Sequence, residues 1–295
     1  MSEQTQRWTI GAATITALTE AETAGIPPQL FFPTLTNDTV RSIEWLGDED
    51  GIADPSGAIT FRVQAFVVEM NGRTVLVDPC VGNGKQRSLP FWHDLSTPWL
   101  DRFHAAGFRE DGIDTVVHTH LHEDHLGWDT QLIDGTWTPT FTRARHVYVG
   151  NELDWAATEE RRQGQDPYAD SIEPILDAGL ADAVEADADL GDGFRLISTP
   201  GHTPGHVSMV IDCGGDGLVV SGDLMHHQLQ CADATIAEVA DWDVGLAART
   251  RFDFIDTCCA SGTVVAGTHF PVAPLGRFER HDSAWRFRRL TASDE

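Results

Sequence analysis

HTHLHEDH, residues 118–125, sets four histidines and two acids in eight positions directly after the apolar run DTVV (114–117). A short apolar run of this kind reads as a buried strand. In an extended segment residues two apart point the same way, so His120 and His122 can grip one ion together. A turn into a helix at Asp124-His125 would aim those two side chains at a neighbouring point. Imidazole and carboxylate ligands suit zinc, and also iron or manganese. A polar loop seldom gathers so many ligand groups by chance.

Three distant segments also end predicted strands in ligand residues. PGHTPGH (200–206) offers His202 in a Pro/Gly-rich loop, VVSGD (219–223) ends in Asp223, and VVAGTH (264–269) ends in His269. Strand ends on one rim are where a site assembles from remote segments.

Around these motifs the chain reads as strands and helices in two similar halves. WTIGAATITALTE (8–20) alternates as a strand. RVQAFVVEM-NG-RTVLVDPCVG (62–82) is a hairpin, because Asn71-Gly72 suits a two-residue turn with positive φ at both positions. STPWLDRFHAAGF (96–108) has helical spacing with Leu100, Phe103 and Ala106 on one face, and RHVYVG (145–150) is a strand. Residues from about 151 to 187 read as an acidic helical insert. FRLISTPGHTPGHVSMVIDCGGDGLVVSGD (194–223) reads strand, loop, strand, turn, strand. DWDVGLAARTRFDFIDTCCASG (241–262) is an amphipathic helix ended by Gly262. Both hairpins end their second strand near an aspartate, Asp78 and Asp223. With no Pro/Gly/Ser linker between the halves, residues 1–295 read as one domain with a pseudo-repeat, its halves about 1–150 and 190–295.

Twenty basic against 46 acidic residues give a formal charge of −26. Such a field repels phosphate backbones and anionic membranes, so neither nucleic acid nor a membrane is an expected partner. The excess acid also serves solubility. The N-terminal sequence lacks the pattern of a secretory signal, and no apolar run is long enough to span a membrane. Five cysteines without a CxxC point to reduced thiols and a cytoplasmic location.

With THLHEDH, PGHTPGH, SGD and GTH in this order, the chain resembles the metallo-β-lactamase superfamily over residues 8 to 270 or so. The resemblance implies an α+β fold, an αββα sandwich of two mixed sheets with helices on both outer sides, holding two divalent metal ions between the sheet edges. Carried over by motif, His120, His122 and His202 hold the first metal. Asp124, His125 and His269 hold the second, and Asp223 bridges both. Zinc is the expected metal, with Mn, Fe or Co also accepted. Two cations roughly 3.5–4 Å apart share a water, lower its pKa towards neutrality and polarise the substrate oxygen.

Within the superfamily, the common class B β-lactamases place a cysteine where Asp223 stands, and flavodiiron proteins place a glutamate at His122. Glyoxalase II adds a basic glutathione-binding region; here the tail offers only Arg277, Arg280, Arg286, Arg288 and Arg289. RNA-processing relatives need a basic surface. What remains is the group of N-acyl homoserine lactonases, other lactonases and methyl-parathion-hydrolase-like enzymes, which GDLMHHQLQ (222–230) resembles. Homoserine lactonases carry a tyrosine three residues past the bridging aspartate; here that residue is His226. His226 then either donates a hydrogen bond or proton to the opening alkoxide or braces a ligand.

Asp124, Asp223 and His226 are the expected catalytic residues. Among the other histidines, His118 reads as a satisfied core residue, His206 as a brace in the His202 loop, and His227 as a pocket or surface residue. Glu123 reads as solvent-facing. Phe31-Phe32, Phe91-Trp92 and Trp128 lie where a site wall could be, although Trp128 could equally turn into the core. Cys80 has no nucleophilic role when a metal activates water. The expected activity is hydrolysis of a small hydrophobic lactone or carboxylic ester by a metal-bridging hydroxide. Organophosphate triester hydrolysis is the alternative within the enzyme class, and a non-catalytic metal-binding module the alternative outside it. Relatives make a homodimer compatible with this reading.

Overall fold

Asn71 and Gly72, with φ of 52° and 79°, close the hairpin expected at 62–82. The computed structural model describes residues 4–47, 51–158, 167–215 and 217–290. Its first sheet holds β1 (Thr5–Ile10), β2 (Ala13–Ile26), β3 (Ile59–Met70), β4 (Arg73–Val77), β5 (Thr115–Val117), β8 (Arg145–Val149) and β9 (Ala181–Val184), hydrogen-bonded in that order. Between β5 and β8 a separate small hairpin is formed by β6 (Thr130–Ile133) and β7 (Thr136–Pro139). The second sheet runs β10 (Asp189–Gly191), β11 (Phe194–Ser198), β12 (Val207–Ile211), β13 (Leu218–Val220), β14 (Val264–Ala266), β15 (Leu275–His281) and β16 (Ala284–Arg289). Both sheets are mixed: β4, β5, β8 and β9 pair in parallel, as do β13 and β14.

Residue alternation within the strands builds two faces. Phe66, Val68, Val75 and Val77 meet Met209, Ile211, Leu218 and Val220 in the core between the sheets. Their neighbours Val67, Leu76 and Val219 point outwards, beneath helices that carry Trp99, Phe103 and Phe254. This is the period of two expected of strands buried on both faces. The result is the αββα sandwich, with the helix Trp99–Ala105 over the first sheet and Val244–Ser261 over the second.

The parallel strands decide where a site can form. β5 and β13 end at the same rim, and the chain leaving each carries ligand residues, at 118–125 and 221–223. β14 delivers 267–269 there, and the β11–β12 loop delivers 199–206. Ligands bind preferentially outside the carboxyl ends of parallel strands.

Several local expectations need correction. WTIGAATITALTE is a hairpin of β1 and β2 rather than one strand, because Gly11 takes φ of 56° and turns the chain. Residues 124–125 form a turn; helical geometry begins only at Gly127. The stretch 151–187 holds the helix Gly150–Ala156 (which starts one residue earlier), the helix Glu173–Asp177 and the strand β9, which the acidic composition concealed; residues 159–166 lie outside the described residues. The arginine-rich tail is an ordered hairpin, β15–β16, in which Phe278, Trp285 and Phe287 are buried.

Candidate metal centre

Each ligand-type side chain is held by the turn that follows its strand. Gly222 shows how tightly these turns meet: at φ of 59°, a β-carbon there would lie 2.7 Å from His206 Nε2 and from Thr119. Only glycine fits this close approach, and it sets Asp223 at the centre of the rim.

All seven expected ligands converge. His120, His122, His202 and Asp223 form one group with ligand atoms within 4.8 Å of one another, and Asp124, His125 and His269 form a second. Asp223 lies between them. Its Oδ2 is 3.6 Å from both His120 Nε2 and His202 Nε2 and 3.1 Å from His125 Nε2, while its Oδ1 is 3.0 Å from His269 Nε2. His269 Nε2 also lies 3.4 Å from Asp124 Oδ2, and His202 Nε2 lies 2.9 Å from His122 Nδ1.

The nitrogens facing away from the cluster are engaged elsewhere. His120 Nδ1 meets Thr119 Oγ1 at 3.2 Å, His202 Nδ1 meets Asp241 Oδ1 at 3.2 Å and His269 Nδ1 meets the Arg62 carbonyl at 2.7 Å, while His125 Nδ1 lies 3.2 Å from Asp78 Oδ2 as a charge contact without hydrogen-bond geometry. Such partners fix ring orientation and leave the opposite nitrogen for an ion. Asp78, at the end of the first hairpin, also accepts hydrogen bonds from Thr119 N and Oγ1. It thereby ties the motif loop to β4.

The donor set fits divalent metal. His120 Nε2 and Asp223 Oδ1 are buried without a hydrogen-bond partner, a costly state unless something else satisfies them. Burial, helped by the neighbouring His125, pushes the His120 pKa well below the usual histidine range and keeps it a neutral donor. Burial alone would raise Asp223, but His125, His269, His226 and His120 outweigh it and hold the carboxyl well below its usual range. Against burial, the surrounding carboxylates raise His125, His202 and His269, so these imidazoles shed protons when metal binds, the neutral form being the one that ligates.

The remaining site expectations divide. His226 Nε2 lies 3.1 Å from Asp223 Oδ2, and the side chain lines the cavity above the cluster. Phe31, Phe91 and Trp92 line that cavity too, whereas Phe32 is packed in the core. Trp128 takes the core alternative: it stacks on Trp99 at 5.3 Å and donates from Nε1 to Glu20. His118 is a satisfied core residue, bonded to the Val147 carbonyl and to Asp129. Glu123 is half-buried rather than fully solvent-facing. It lines the cavity and accepts hydrogen bonds from Ser88 N and Oγ. His206 bonds within its loop as expected, its Nδ1 meeting the Thr199 carbonyl at 3.0 Å, and its Nε2 also accepts from the backbone N–H of Asp223. His227 is neither pocket nor surface; it is buried and caps the short helix Gln228–Cys231.

Sequence reading missed Asp241, Glu238 and Arg251. Asp241 orients His202, and Glu238 lines the cavity 4.0 Å from His226. Arg251 is buried on the helix Val244–Ser261 and donates to the carbonyls of Leu224, Ala234 and Ile236. It thus ties the segment after Asp223 to the loop carrying Asp241. None stands in a motif, and acids are too frequent in this chain to single out two of them.

Comparison with known proteins follows the same lines. A probable metallo-hydrolase of Mycobacterium tuberculosis is 28% identical over 192 residues, 58% of this chain and 59% of that relative, so the chain spans about three fifths of its length. An N-acyl homoserine lactonase from a Bacillus species is 27% identical over 115 residues, 39% of each protein. AidC, a dizinc quorum-quenching lactonase solved with the product N-hexanoyl-L-homoserine, superposes with a TM-score of 0.79 at 19% identity, over 98% of this chain and 99% of that one, which establishes the shared fold. Residues 59–235, more than half the chain, match the sequence family of the metallo-beta-lactamase superfamily. Sandwich, convergent His/Asp rim and family match together make the chain a member of the metallo-β-lactamase superfamily.

Proposed function

We propose that the protein is a dinuclear metal-dependent hydrolase that opens a hydrophobic lactone or a related carboxylic ester. The observation that carries this reading is two neighbouring ligand groups, with Asp223 of the first within 3.1 Å of His125 and His269 of the second, at the floor of a cavity of about 370 Å³ with an aromatic wall. Lactonases among the similar proteins support it. Two divalent cations, with zinc suited to this imidazole–carboxylate set, supply when bound an activated water at neutral pH and an electrophilic contact for the substrate's carbonyl oxygen.

The chain's own residues do the rest. Asp223 links the two halves of the cluster and offsets the repulsion between cations. Asp124, which lines the cavity, orients the attacking water. That water gives one proton to the Asp124 carboxylate as it adds to the carbonyl carbon, and cleavage of the C–O bond then leaves an alkoxide. His226 gives the alkoxide its proton, so that the lactone emerges as a hydroxy acid. Aromatic walls exclude solvent and bind the substrate's apolar part.

Cavity charge narrows the substrate. Among the described residues lining it there is no lysine or arginine, while Glu123 and Glu238 contribute carboxylates. An anionic glutathione thioester therefore finds no counter-charge, whereas a neutral ester or lactone needs none. A neutral phosphotriester meets the same condition, which keeps organophosphate hydrolysis as the second reading. A purely structural metal module fits less well, since structural zinc sites are closed and four-coordinate and this floor opens onto a cavity. The five cysteines are all unpaired, four of them buried, as suits a reducing cytoplasm.

Metal analysis of reconstituted protein, paired with a panel of acyl homoserine lactones, aliphatic lactones, paraoxon-type triesters, thioesters and a cephalosporin, tests the reading. About two metals per chain and turnover of lactones or esters are expected. Turnover confined to triesters replaces this function with the second one, and a single tightly held metal without turnover overturns both.

A further inference from the structure

Two buried side chains outside the ligand set each grip a different half of the candidate centre. Glu152 stands in the first turn of the helix Gly150–Ala156 and is 1% exposed. Its Oε1 accepts from the backbone N–H of Leu121 at 3.3 Å, and its Oε2 accepts from the backbone N–H of Gly205 at 2.8 Å. Leu121 lies between His120 and His122, and Gly205 follows His202 in the next turn of chain. One carboxylate therefore joins the two loops that carry the histidines of the first ligand group. The approach is close: a β-carbon at Gly205 would lie 2.7 Å from the Glu152 β-carbon and 2.8 Å from its backbone nitrogen. The loop reaches the carboxylate only because that position has no side chain.

Gln64, on β3 and equally buried, serves the second group. Its Nε2 donates to the carbonyls of Gly267 at 3.2 Å, Thr268 at 3.1 Å and Phe270 at 3.2 Å, which flank His269 on both sides. From the same strand the Arg62 carbonyl accepts from His269 Nδ1 at 2.7 Å. Among the described residues, Glu152 has no hydrogen bond to the loop of His269, and Gln64 has none to the loops of His120 and His202. The two supports are thus separate, each carried by its own element.

Buried backbone groups need partners, so each loop is held where its N–H or carbonyl groups meet these side chains. Loops already held in place lose less freedom when their imidazoles close on an ion, and that saving appears as affinity. We propose that Glu152 and Gln64 are positioning residues that set the two metal affinities separately, Glu152 for the position of His120, His122 and His202 and Gln64 for the position that includes His269. This rests on the metal-binding reading above and is independent of the substrate.

Cadmium-113 NMR of the full chain loaded with cadmium tests the division, because each bound ion gives its own resonance. The wild type is expected to show two, with His202→Ala and His269→Ala identifying which belongs to which position. In Glu152→Gln, the cadmium at the His202 position should be stripped by a competing chelator about 10- to 100-fold more readily, with the other resonance unmoved. Gln64→Leu should do the reverse. Glu152→Asp and Gln64→Asn, which keep the polar group on a shorter stem, should give smaller losses at the same positions and serve where the first variants do not fold. Equal weakening of both resonances in either variant, or no change in any variant, overturns the division and reduces these residues to general supports of the fold. A single bound resonance in the wild type overturns separately set positions. A wild type that binds no cadmium overturns the metal-binding reading itself, and the positioning roles with it.

Discussion

His202 Nδ1 lies 3.2 Å from Asp241 Oδ1, and this hydrogen bond turns His202 Nε2 towards Asp223. Burial alone would raise the Asp241 carboxyl, but the His202 contact and the Arg251 guanidinium hold it down at about 2. An ionised, fixed carboxylate behind the ring strengthens the imidazole as a metal donor. Asp241→Asn keeps the shape and removes the charge. Metal affinity, measured by competition with a chromophoric chelator, is expected to drop about 10- to 100-fold. Unchanged affinity would mean that packing alone orients His202.

His226 stands 3.1 Å from Asp223 and in the cavity wall, a position that suits either proton donation or support of the carboxylate. The two roles separate in kinetics. If His226 gives its proton to the leaving alkoxide, His226→Phe lowers kcat by about 10²-fold and raises KM far less. A change confined to metal content, with kcat per bound metal unaltered, assigns it to support of Asp223.

Much of the candidate centre was legible because ligand spacing is local. His120, His122, Asp124 and His125 lie within six positions, and His202, Asp223 and His269 each close a strand or loop with its own signal. Asn71-Gly72 was equally readable, since its turn chemistry depends on two residues. Relationships across the fold were not. Asp241 is 39 residues from the histidine it orients, and nothing in AEVADWDV marks one acid over another. Glu123 reads as exposed because it neighbours a polar turn, and it is half so; Ser88 arrives from a separate loop and holds it at the cavity. In the β15–β16 hairpin, arginines alternate with Phe278, Trp285 and Phe287. Their charge hid a strand pattern that becomes plain only beside β14.

Metal removal should be visible in stability as well as activity. Without cations, the buried carboxylates and imidazoles of the cluster must satisfy one another, and His120 Nε2 does not. Ions that bind only the folded state at about a thousandfold excess over Kd add about 4 kcal/mol. Exhaustive chelation is therefore expected to lower Tm on the order of 10 °C, with recovery on adding zinc, followed by calorimetry. Equal Tm values for loaded and stripped protein would show that the fold is set by packing without the ions.

Lys85, the sole lysine, supplies the last prediction. It is fully buried, bonded to Thr130 and Ser171, paired with Asp170 at 3.4 Å and placed 3.8 Å from the centre of the Trp137 ring. Burial lowers its pKa to about 7, against the opposing pull of Asp170. In the unfolded chain the amine keeps its proton up to about pH 10.4. Between these values the unfolded chain binds more protons than the folded one, so stability rises with pH across that window; below pH 7 the full charging penalty remains. Relative to Lys85→Met, in which Asp170 keeps its pair with Arg87, the wild-type denaturation midpoint is expected to climb from about pH 7 to pH 9.5. A constant gap between the two proteins would show that Lys85 keeps an ordinary lysine pKa. Amine acylation gives an independent readout: Lys85 should stay unlabelled in the native protein and react once denaturant exposes it.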